Sequence, residues 1–303
     1  MDLFKELKAA VEGRVLKDEP MSLHTTFKVG GPADYFMIIK GADELAKVEK
    51  ILETYGVPAF VVGNGSNLLV SDEGIRGCVI TFERPEYPIR IYDKSAEGVN
   101  VEIPAGTLLS AAAKAVAREG LKGFEFAAGI PGTLGGAVLM NAGAYGGEIK
   151  DSILTAKVFR DGEILTLSKD ELSLSYRHSS LMETGGVILS AEFFFEYGDK
   201  DQIFARIEEL NAKRREKQPL EYPSAGSTFK RPEGYFAGKL IQDAGLAGFS
   251  VGGAAVSEKH CGFVINKGGA TASDVKKLID EVIQRVQESA GVTLEPEVRF
   301  MGF

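Results

Sequence analysis

The sequence has few cysteines and histidines and no concentrated run of basic residues. Its two cysteines, Cys78 and Cys261, lie far apart, which excludes a disulfide framework and the spacing of a zinc site. The three histidines are isolated from one another, so we expect no metal. The net charge is −8 without an arginine-rich stripe, which argues against a nucleic-acid-binding protein. A few local cations and backbone amides would still suffice to bind a small anion.

Long apolar runs are missing as well. No segment approaches the ~18 apolar residues of a membrane span. Residues 1–13 have the pattern of an amphipathic helix, which differs from that of a signal peptide. We therefore expect a soluble, cytoplasmic protein with no membrane partner and no obligate protein partner.

Glycine is the residue in excess, at 36 of 303 positions, roughly 12% against a usual ~7%. The glycines cluster without a fixed period, which indicates loops where the backbone turns sharply or approaches a ligand closely. Three clusters lie in the first half of the chain, at 24–36, 61–70 and 129–147. Three such loops favour one extended cofactor over a mononucleotide.

Two segments with paired prolines, 83–88 and 218–223, divide the chain into three predicted regions. Region 1–83 is predicted to form a βαβ unit, with helices at 3–11 (ended by Gly13) and 43–55 and strands at 35–40, 59–62 and 78–82. Region 84–217 is predicted to be mostly antiparallel sheet, with strands at 89–92, 100–103, 154–160, 164–167 and 186–195 and helices at 107–119 and 202–216. Region 218–303 ends in an amphipathic helix that Thr271 caps, with Asp274 three residues on, and that Gly291 ends.

The glycines of segment 61–70 do not form a dinucleotide fingerprint. Gly63 and Gly65 follow an apolar strand, but the fingerprint requires a third glycine where this sequence has Leu68. A Rossmann site is therefore excluded. The small residues of this segment can still present backbone N–H groups to a pyrophosphate. A tight turn between strands is the alternative interpretation.

Segment 129–147 contains seven glycines in nineteen residues and few charges. A solvated loop would be more polar, and a buried strand would hold fewer glycines. Chain that is both apolar and nearly free of side chains lets a flat group, such as an isoalloxazine ring, lie against the backbone. A close-packed turn in the core is the alternative.

Seven motifs along the chain are similar to those of one enzyme family, and they occur in the same order. They are HTTFKVGGPAD, GNGSNLLVSDEGIRG, GIPGTLGGAVLMNAGAYGGEI, YRHSS, AGSTFKRP, AGLAGFSVGGAAVS and LEPEVRFMG. From about residue 20 to its end, the chain resembles the UDP-N-acetylenolpyruvoylglucosamine reductase (MurB) family. The spacing of 50 residues between Arg177 and Ser227 resembles the short form of the family, which lacks an insertion that supplies a capping tyrosine.

The resemblance implies an α+β fold, with a two-part FAD-binding module of the p-cresol methylhydroxylase or vanillyl-alcohol oxidase type and a C-terminal α/β substrate-binding domain. It implies non-covalent FAD, NADPH as co-substrate, and a reaction that makes UDP-N-acetylmuramate for peptidoglycan. The residues predicted to bind the cofactor are Gly63, Asn64, Gly65, Ser66, Asn67, Leu68, Gly129, Ile130, Pro131, Gly132, Gly135, Gly136, Asn141, Ala142 and Gly143. Those predicted to bind the substrate are Lys230, Arg231, Lys239 and His260, the last at a position where other members often have glutamine.

The implied reaction reduces an enol ether conjugated to a carboxylate, so the site needs an anion stabiliser, a proton donor and a dry pocket. Arg177 is the predicted stabiliser, because a guanidinium stays charged and grips a carboxylate with two hydrogen bonds. Ser227 is the predicted proton donor, with Lys230 or a water as support. Alternation places Glu295 and Glu297 on the same strand face, where both could be a solvated edge, and the resemblance favours Glu297, the acid before Val298. It would polarise the substrate or serve as an alternative acid, and these two roles stay open.

Two other functions would fit parts of the sequence. An FAD-linked oxidase of the same fold would commonly hold its flavin covalently, and no loop here clearly offers the histidine or tyrosine for that bond. A non-catalytic protein that binds a nucleotide sugar would have no need of Arg177, Ser227 and Glu297 together. The effect of replacing Ser227 by alanine distinguishes these functions.

Overall fold

The computed structural model of the protein describes residues 2–303, and the chain forms two compact units. The first unit contains Met1–Val15, Met37–Gly63 and Val79–Arg214. The second contains Leu16–Phe36, Asn64–Cys78 and Arg215–Phe303. Each unit is therefore built from separate stretches of the sequence.

The helices are α1 Leu3–Ala10, α2 Ala42–Tyr55, α3 Leu109–Arg118, α4 Leu134–Leu139, α5 Lys169–Leu172, α6 Leu181–Thr184, α7 Lys200–Lys217, α8 Ala237–Asp243 and α9 Ala272–Ala290. The strands are β1 Val15–Pro20, β2 Pro32–Ile39, β3 Ala59–Val61, β4 Leu68–Val70, β5 Ile75–Phe82, β6 Arg90–Lys94, β7 Gly98–Pro104, β8 Gly143–Ala144, β9 Gly147–Glu148, β10 Ile153–Arg160, β11 Glu163–Ser168, β12 Val187–Glu196, β13 Ser250–Val251, β14 Ala254–Val256, β15 Val264–Asn266 and β16 Arg299–Met301. None of the helices in residues 2–303 is both long and apolar enough to span a membrane.

The first unit is organised around a five-stranded antiparallel sheet with the order β11-β10-β12-β7-β6. Along most of β12, buried residues alternate with less buried ones, as expected for a sheet with one buried face. Phe193 and Phe195 of this strand pack with Phe124 at ring-centroid distances of 5.5 and 5.3 Å. This aromatic cluster belongs to the core that α3 and α4 also contact.

The second unit has a three-stranded antiparallel sheet, β13-β14-β15, against which α9 packs. The apolar stripe of α9 includes Val275, Leu278 and Val282, each completely buried. A separate pair of short strands joins distant parts of the sequence, because β16 runs parallel to β4 with Arg299 opposite Leu68. This pairing brings the C-terminal motif to the second glycine cluster.

Most of the predicted long elements are confirmed, and the errors fall on short ones. The capping box of Thr271 and Asp274 and the left-handed Gly291 bound α9 as predicted. The first helix ends at Ala10 and not at Gly13. Strands β1 and β4 and helix α4 were not predicted, since they are short and lack a clear period.

The predicted strand through Glu295 and Glu297 is wrong. These two residues flank Pro296, which forms one isolated bridge with Phe229. The two backbone hydrogen bonds of this bridge involve Glu295 O and Glu297 N, and regular strand pairing begins only at Arg299, in β16.

The first turn of α9 is closed by a carboxylate from a distant loop. Asp72 accepts hydrogen bonds from Ala272 N at 2.7 Å, and from Ser273 N and Oγ at 2.8 and 2.6 Å. Burial alone would raise the pKa of the Asp72 carboxyl, but these hydrogen bonds outweigh it and lower the pKa below its ordinary value. A lowered pKa in the folded state stabilises the protein fully above the unfolded-state value of ~3.9. This stabilisation is lost as the pH falls through the folded-state value.

Replacing this residue (Asp72→Asn) is therefore expected to lower the free energy of unfolding by about 1 kcal/mol at pH 7, a modest value because water screens an exposed charge. The loss should be smaller at pH 3, where the carboxyl of the unfolded wild-type chain, with its pKa of ~3.9, is largely protonated. Urea denaturation at both pH values measures this difference. Asp280→Asn, in an exposed pair with Lys276 on α9, is the control and should change stability by less than ~0.5 kcal/mol. An equal loss for Asp72→Asn at both pH values would contradict the assignment.

Candidate active site

In the first unit, the second and third glycine clusters are in contact. A Cβ atom on Gly63 would lie 2.2 Å from Thr133 Oγ1, so only glycine permits this approach. Thr133 is buried and precedes α4, the short helix that contains Gly135 and Gly136. This close packing accounts for the glycine at position 63, whereas Gly135 approaches Ala105.

In the second unit, the first and second glycine clusters are in contact. Gly65 has a positive φ of 60°, and a Cβ atom there would lie 2.0 Å from the carbonyl oxygen of His24. Thr26 N donates a hydrogen bond to Gly65 O at 3.2 Å. The motifs around His24 and Gly65 therefore form one packed loop pair.

The glycine clusters 61–70 and 129–147 each contain backbone donors of the kind that an anionic or flat cofactor requires. Among the hydrogen bonds of residues 2–303, none is donated to a backbone oxygen by the N–H groups of Ser66, Asn67 or Gly132. All three residues are half-buried. At Gly136, a Cβ atom would have no neighbour closer than 3.8 Å, which leaves the backbone of α4 approachable. Backbone N–H groups of this kind, at Ser66 and Asn67 in the second unit and at Gly132 in the first, are suited to the pyrophosphate of a dinucleotide such as FAD, and their use by a cofactor remains a prediction.

Some predicted cofactor residues also have structural contacts. Leu68 begins β4, and the side chain of Asn67 donates to Glu297 O at 3.0 Å. Asn141 is completely buried, with its side chain bonded to three parts of the first unit. Asn64 is half-buried in the second unit, and the remaining ones, at Gly129, Ile130, Pro131, Ala142 and Gly143, lie half-buried or exposed on either side of α4 in the sequence. Their contacts with a cofactor remain predictions.

Arg177 lies in a tight turn of the first unit. Ser175 and His178 form an isolated bridge whose two backbone hydrogen bonds are both 3.2 Å long. Arg177 has a φ of 54°, a left-handed conformation that is uncommon for a residue other than glycine. Its guanidinium lies 5.0 Å from the centre of the Tyr176 ring, and Nη2 donates to Gly143 O at 3.4 Å. The turn thus holds the arginine beside the third glycine cluster.

The segments that contain Ser227 and Glu297 lie next to each other in the second unit, although 70 positions separate the two residues in the sequence. Glu297 N donates to Thr228 O, and Lys230 N donates to Glu295 O, both at 2.8 Å. Segments 228–230 and 295–297 therefore run antiparallel, with Thr228 opposite Glu297. Ser227 is exposed and Glu297 is half-buried. The residue opposite Glu297 is thus Thr228, and Ser227 directly precedes it, so the predicted serine and acid lie on two adjacent segments.

Thr228 anchors this arrangement. Its N–H donates to Gly262 O at 2.8 Å, and its Oγ1 accepts from Val264 N at 2.9 Å. The residue is completely buried. Sequence reasoning missed it, since a buried threonine beside a predicted serine carries no distinct pattern.

The four predicted substrate-binding residues all lie in the second unit. Lys230 pairs with Glu295, and Lys239 pairs with Asp243 of the same helix. Arg231 stacks on Phe236 with its guanidinium 4.1 Å from the ring centre. His260 packs edge-on against Phe263, and burial lowers the pKa of its imidazole. Their contacts with substrate remain predictions, as does the support of Ser227 by Lys230.

Two family models match this chain, one in its N-terminal part and one in its C-terminal third. Residues 33–168 match a family model described as an FAD binding domain, and residues 218–301 match the C-terminal domain of UDP-N-acetylenolpyruvoylglucosamine reductase. A UDP-N-acetylenolpyruvoylglucosamine reductase of Lachnoclostridium phytofermentans is 57% identical over 302 residues, which cover 99% of this chain and 97% of that protein. The chain belongs to the UDP-N-acetylenolpyruvoylglucosamine reductase family.

Two further relatives support this membership. The reductase of Agathobacter rectalis is 53% identical over 95% of this chain and 94% of its own length. The crystal structure of the Thermus caldophilus reductase is 36% identical and superimposes with a TM-score of 0.78, covering 96% of this chain and 99% of that one. The predicted family and fold class are confirmed, and the chain is an FAD-dependent oxidoreductase of this family.

Proposed function

We propose that this chain catalyses the NADPH-dependent reduction of UDP-N-acetylenolpyruvoylglucosamine to UDP-N-acetylmuramate, a step in peptidoglycan precursor synthesis, with Arg177, Ser227 and Glu297 as catalytic residues. The observation that supports the proposal is the pairing of segments 228–230 and 295–297, which brings the segment that Ser227 precedes next to the segment that contains Glu297. The two segments come from separate family motifs, and a protein that only binds a nucleotide sugar would not require their serine and acid.

The reaction balances as one hydride and one proton added across a carbon–carbon double bond, while NADPH becomes NADP⁺. FAD, when bound, supplies the hydride that it has taken from NADPH, and it is expected to be held by the residues of the second and third glycine clusters. The terminal vinyl carbon receives the hydride, and negative charge then develops on the enolate toward the substrate carboxylate. The adjacent carbon must receive the proton.

Each catalytic residue has a role that follows from its chemistry. Arg177 would hold the substrate carboxylate and stabilise the developing enolate, because its guanidinium stays charged and donates in a planar fork. Ser227 would donate the proton from its exposed hydroxyl. Glu297 would polarise the substrate or supply the proton in place of Ser227. Between Arg177 and Ser227 the chain forms α6, β12 and α7. We propose that the protein belongs to the short form of the family, which lacks the insertion with a capping tyrosine.

Anaerobic absorbance of the purified protein tests the function. We expect a yellow protein that NADPH bleaches and that enolpyruvyl-UDP-N-acetylglucosamine recolours, with one NADPH consumed for each substrate molecule. Bleaching without recovery by the substrate, but with recovery by oxygen alone, would indicate an oxidase of the same fold. A colourless protein that binds no flavin would overturn the proposal.

A further inference from the structure

Asn141, one of the predicted cofactor residues, has both the nitrogen and the oxygen of its side-chain amide hydrogen-bonded inside the protein. It is completely buried between α4 and β8 and has a φ of 41°. Its Nδ2 donates to Ser175 O and to Glu148 Oε2, both at 2.9 Å, and its Oδ1 accepts from Lys150 N at 3.0 Å. An amide has two donor hydrogens, and both are engaged. The side chain therefore has no donor left for a cofactor.

The first of these bonds supports the turn that contains Arg177. Ser175 O accepts from His178 N at 3.2 Å, which closes the turn, and the same oxygen accepts from Asn141. Arg177 has a φ of 54°, a strained value that the surroundings must maintain. Its side chain donates to Gly143 O, two residues beyond Asn141. Both the backbone and the guanidinium of Arg177 thus depend on segment 141–143.

The second bond holds a negative charge near Arg177. Glu148 accepts from Lys150 Nζ at 2.9 Å as well as from Asn141. Lys150 foremost, then Asn141 and the charge of Arg177, lower the pKa of the Glu148 carboxyl. Glu148 is therefore ionised at neutral pH, and Asn141 fixes the position of its carboxylate. All of these residues belong to the first unit.

We infer that Asn141 is a positioning residue for Arg177, which sets the arginine for the substrate carboxylate by bonding to Ser175 O and to Glu148. The inference rests on the proposed function, in which Arg177 stabilises the enolate. In this role, Asn141 affects the step in which the substrate is reduced. Its side chain is not expected to contribute contacts to FAD. Asn141 itself touches neither substrate nor cofactor through its amide.

The substitution Asn141→Asp tests this role with little change of volume, and aspartate tolerates a positive φ. It removes both donor hydrogens and places a carboxylate against Ser175 O and Glu148. We expect reoxidation by enolpyruvyl-UDP-N-acetylglucosamine to slow by roughly 10–100-fold, in line with a misplaced catalytic group. The rate of bleaching by NADPH and the FAD content should stay at wild-type values. Asn141→Gly, which also fits the backbone and adds no charge, should show the same division between the two half-reactions.

Asn100→Asp is the matched control, since Asn100 also donates to a carboxylate of the first unit, Glu192, at 3.0 Å. This variant should leave both half-reactions unchanged. A double-mutant cycle with Arg177→Lys gives the decisive comparison: if Asn141 acts through Arg177, adding Asn141→Asp to Arg177→Lys should slow reoxidation by less than ~3-fold further.

Three outcomes would overturn the inference. They are a normal reoxidation rate in both Asn141 variants, a loss of FAD or of NADPH-dependent bleaching that matches the loss of reoxidation, and a full additional loss in the Arg177→Lys background. Failure of the proposed function would look different, because the wild-type protein would then not be reoxidised by the substrate at all.

Discussion

A protein with the substitution Ser227→Ala is expected to be bleached by NADPH at the wild-type rate and to be reoxidised by enolpyruvyl-UDP-N-acetylglucosamine roughly 10²–10⁴-fold more slowly. The loss follows from removing the hydroxyl that would donate the proton. The backbone should stay in place, because Thr228 is held on both sides by Gly262 O and Glu297 N at 2.8 Å. Stopped-flow absorbance with each reactant in turn measures the two rates separately.

Ser250→Ala is a suitable control for this variant. Ser250 is an exposed serine of the same unit, in β13, outside the predicted site. Both rates should be unchanged in this control. If Ser227→Ala were reoxidised normally, the proton would have another source, and Glu297→Gln would then be the variant expected to lose reoxidation.

For Arg177→Lys, we expect kcat/KM for the enolpyruvyl substrate to fall by about 10²–10³-fold. Lysine keeps the positive charge but cannot form the two parallel hydrogen bonds of a guanidinium to a carboxylate. The reduction of the protein by NADPH should be unaffected. Steady-state kinetics with varied substrate, combined with the anaerobic bleaching rate, checks both statements.

Arg160→Lys provides the comparison for the arginine. Arg160 also lies in the first unit, where it donates to Thr184 Oγ1 and Gly185 O, and it has no predicted role in the reaction. Its replacement should leave kcat/KM within about 2-fold of wild type, as for a surface substitution. A value for Arg177→Lys close to that of Arg160→Lys would contradict the role given to Arg177.

The long elements could be predicted because their determinants are local. Helix α9 has a continuous apolar stripe, a capping box at Thr271 and a left-handed glycine at its end, and all of these are visible within about twenty residues of sequence. The strands β10, β11 and β12 also carry their alternation locally. The short strand β16 and the bridge at Pro296 depend on partners that are far away in the chain, so the local alternation around Glu295 and Glu297 suggested a strand but placed it too early.

For the candidate site as well, some features could be predicted from the sequence and others only from the tertiary structure. The residue types and motif order of the sequence determined the family, the FAD-binding character and the set of Arg177, Ser227 and Glu297 as candidates. Only the tertiary structure placed Glu297 opposite Thr228 and gave the amide of Asn141 to Ser175 and Glu148. Sequence patterns cannot reveal which buried donor meets which acceptor, because those distances depend on how separate segments pack. The family resemblance placed Asn141 among the cofactor-binding residues, and only the structure shows that its side chain is bonded within the fold.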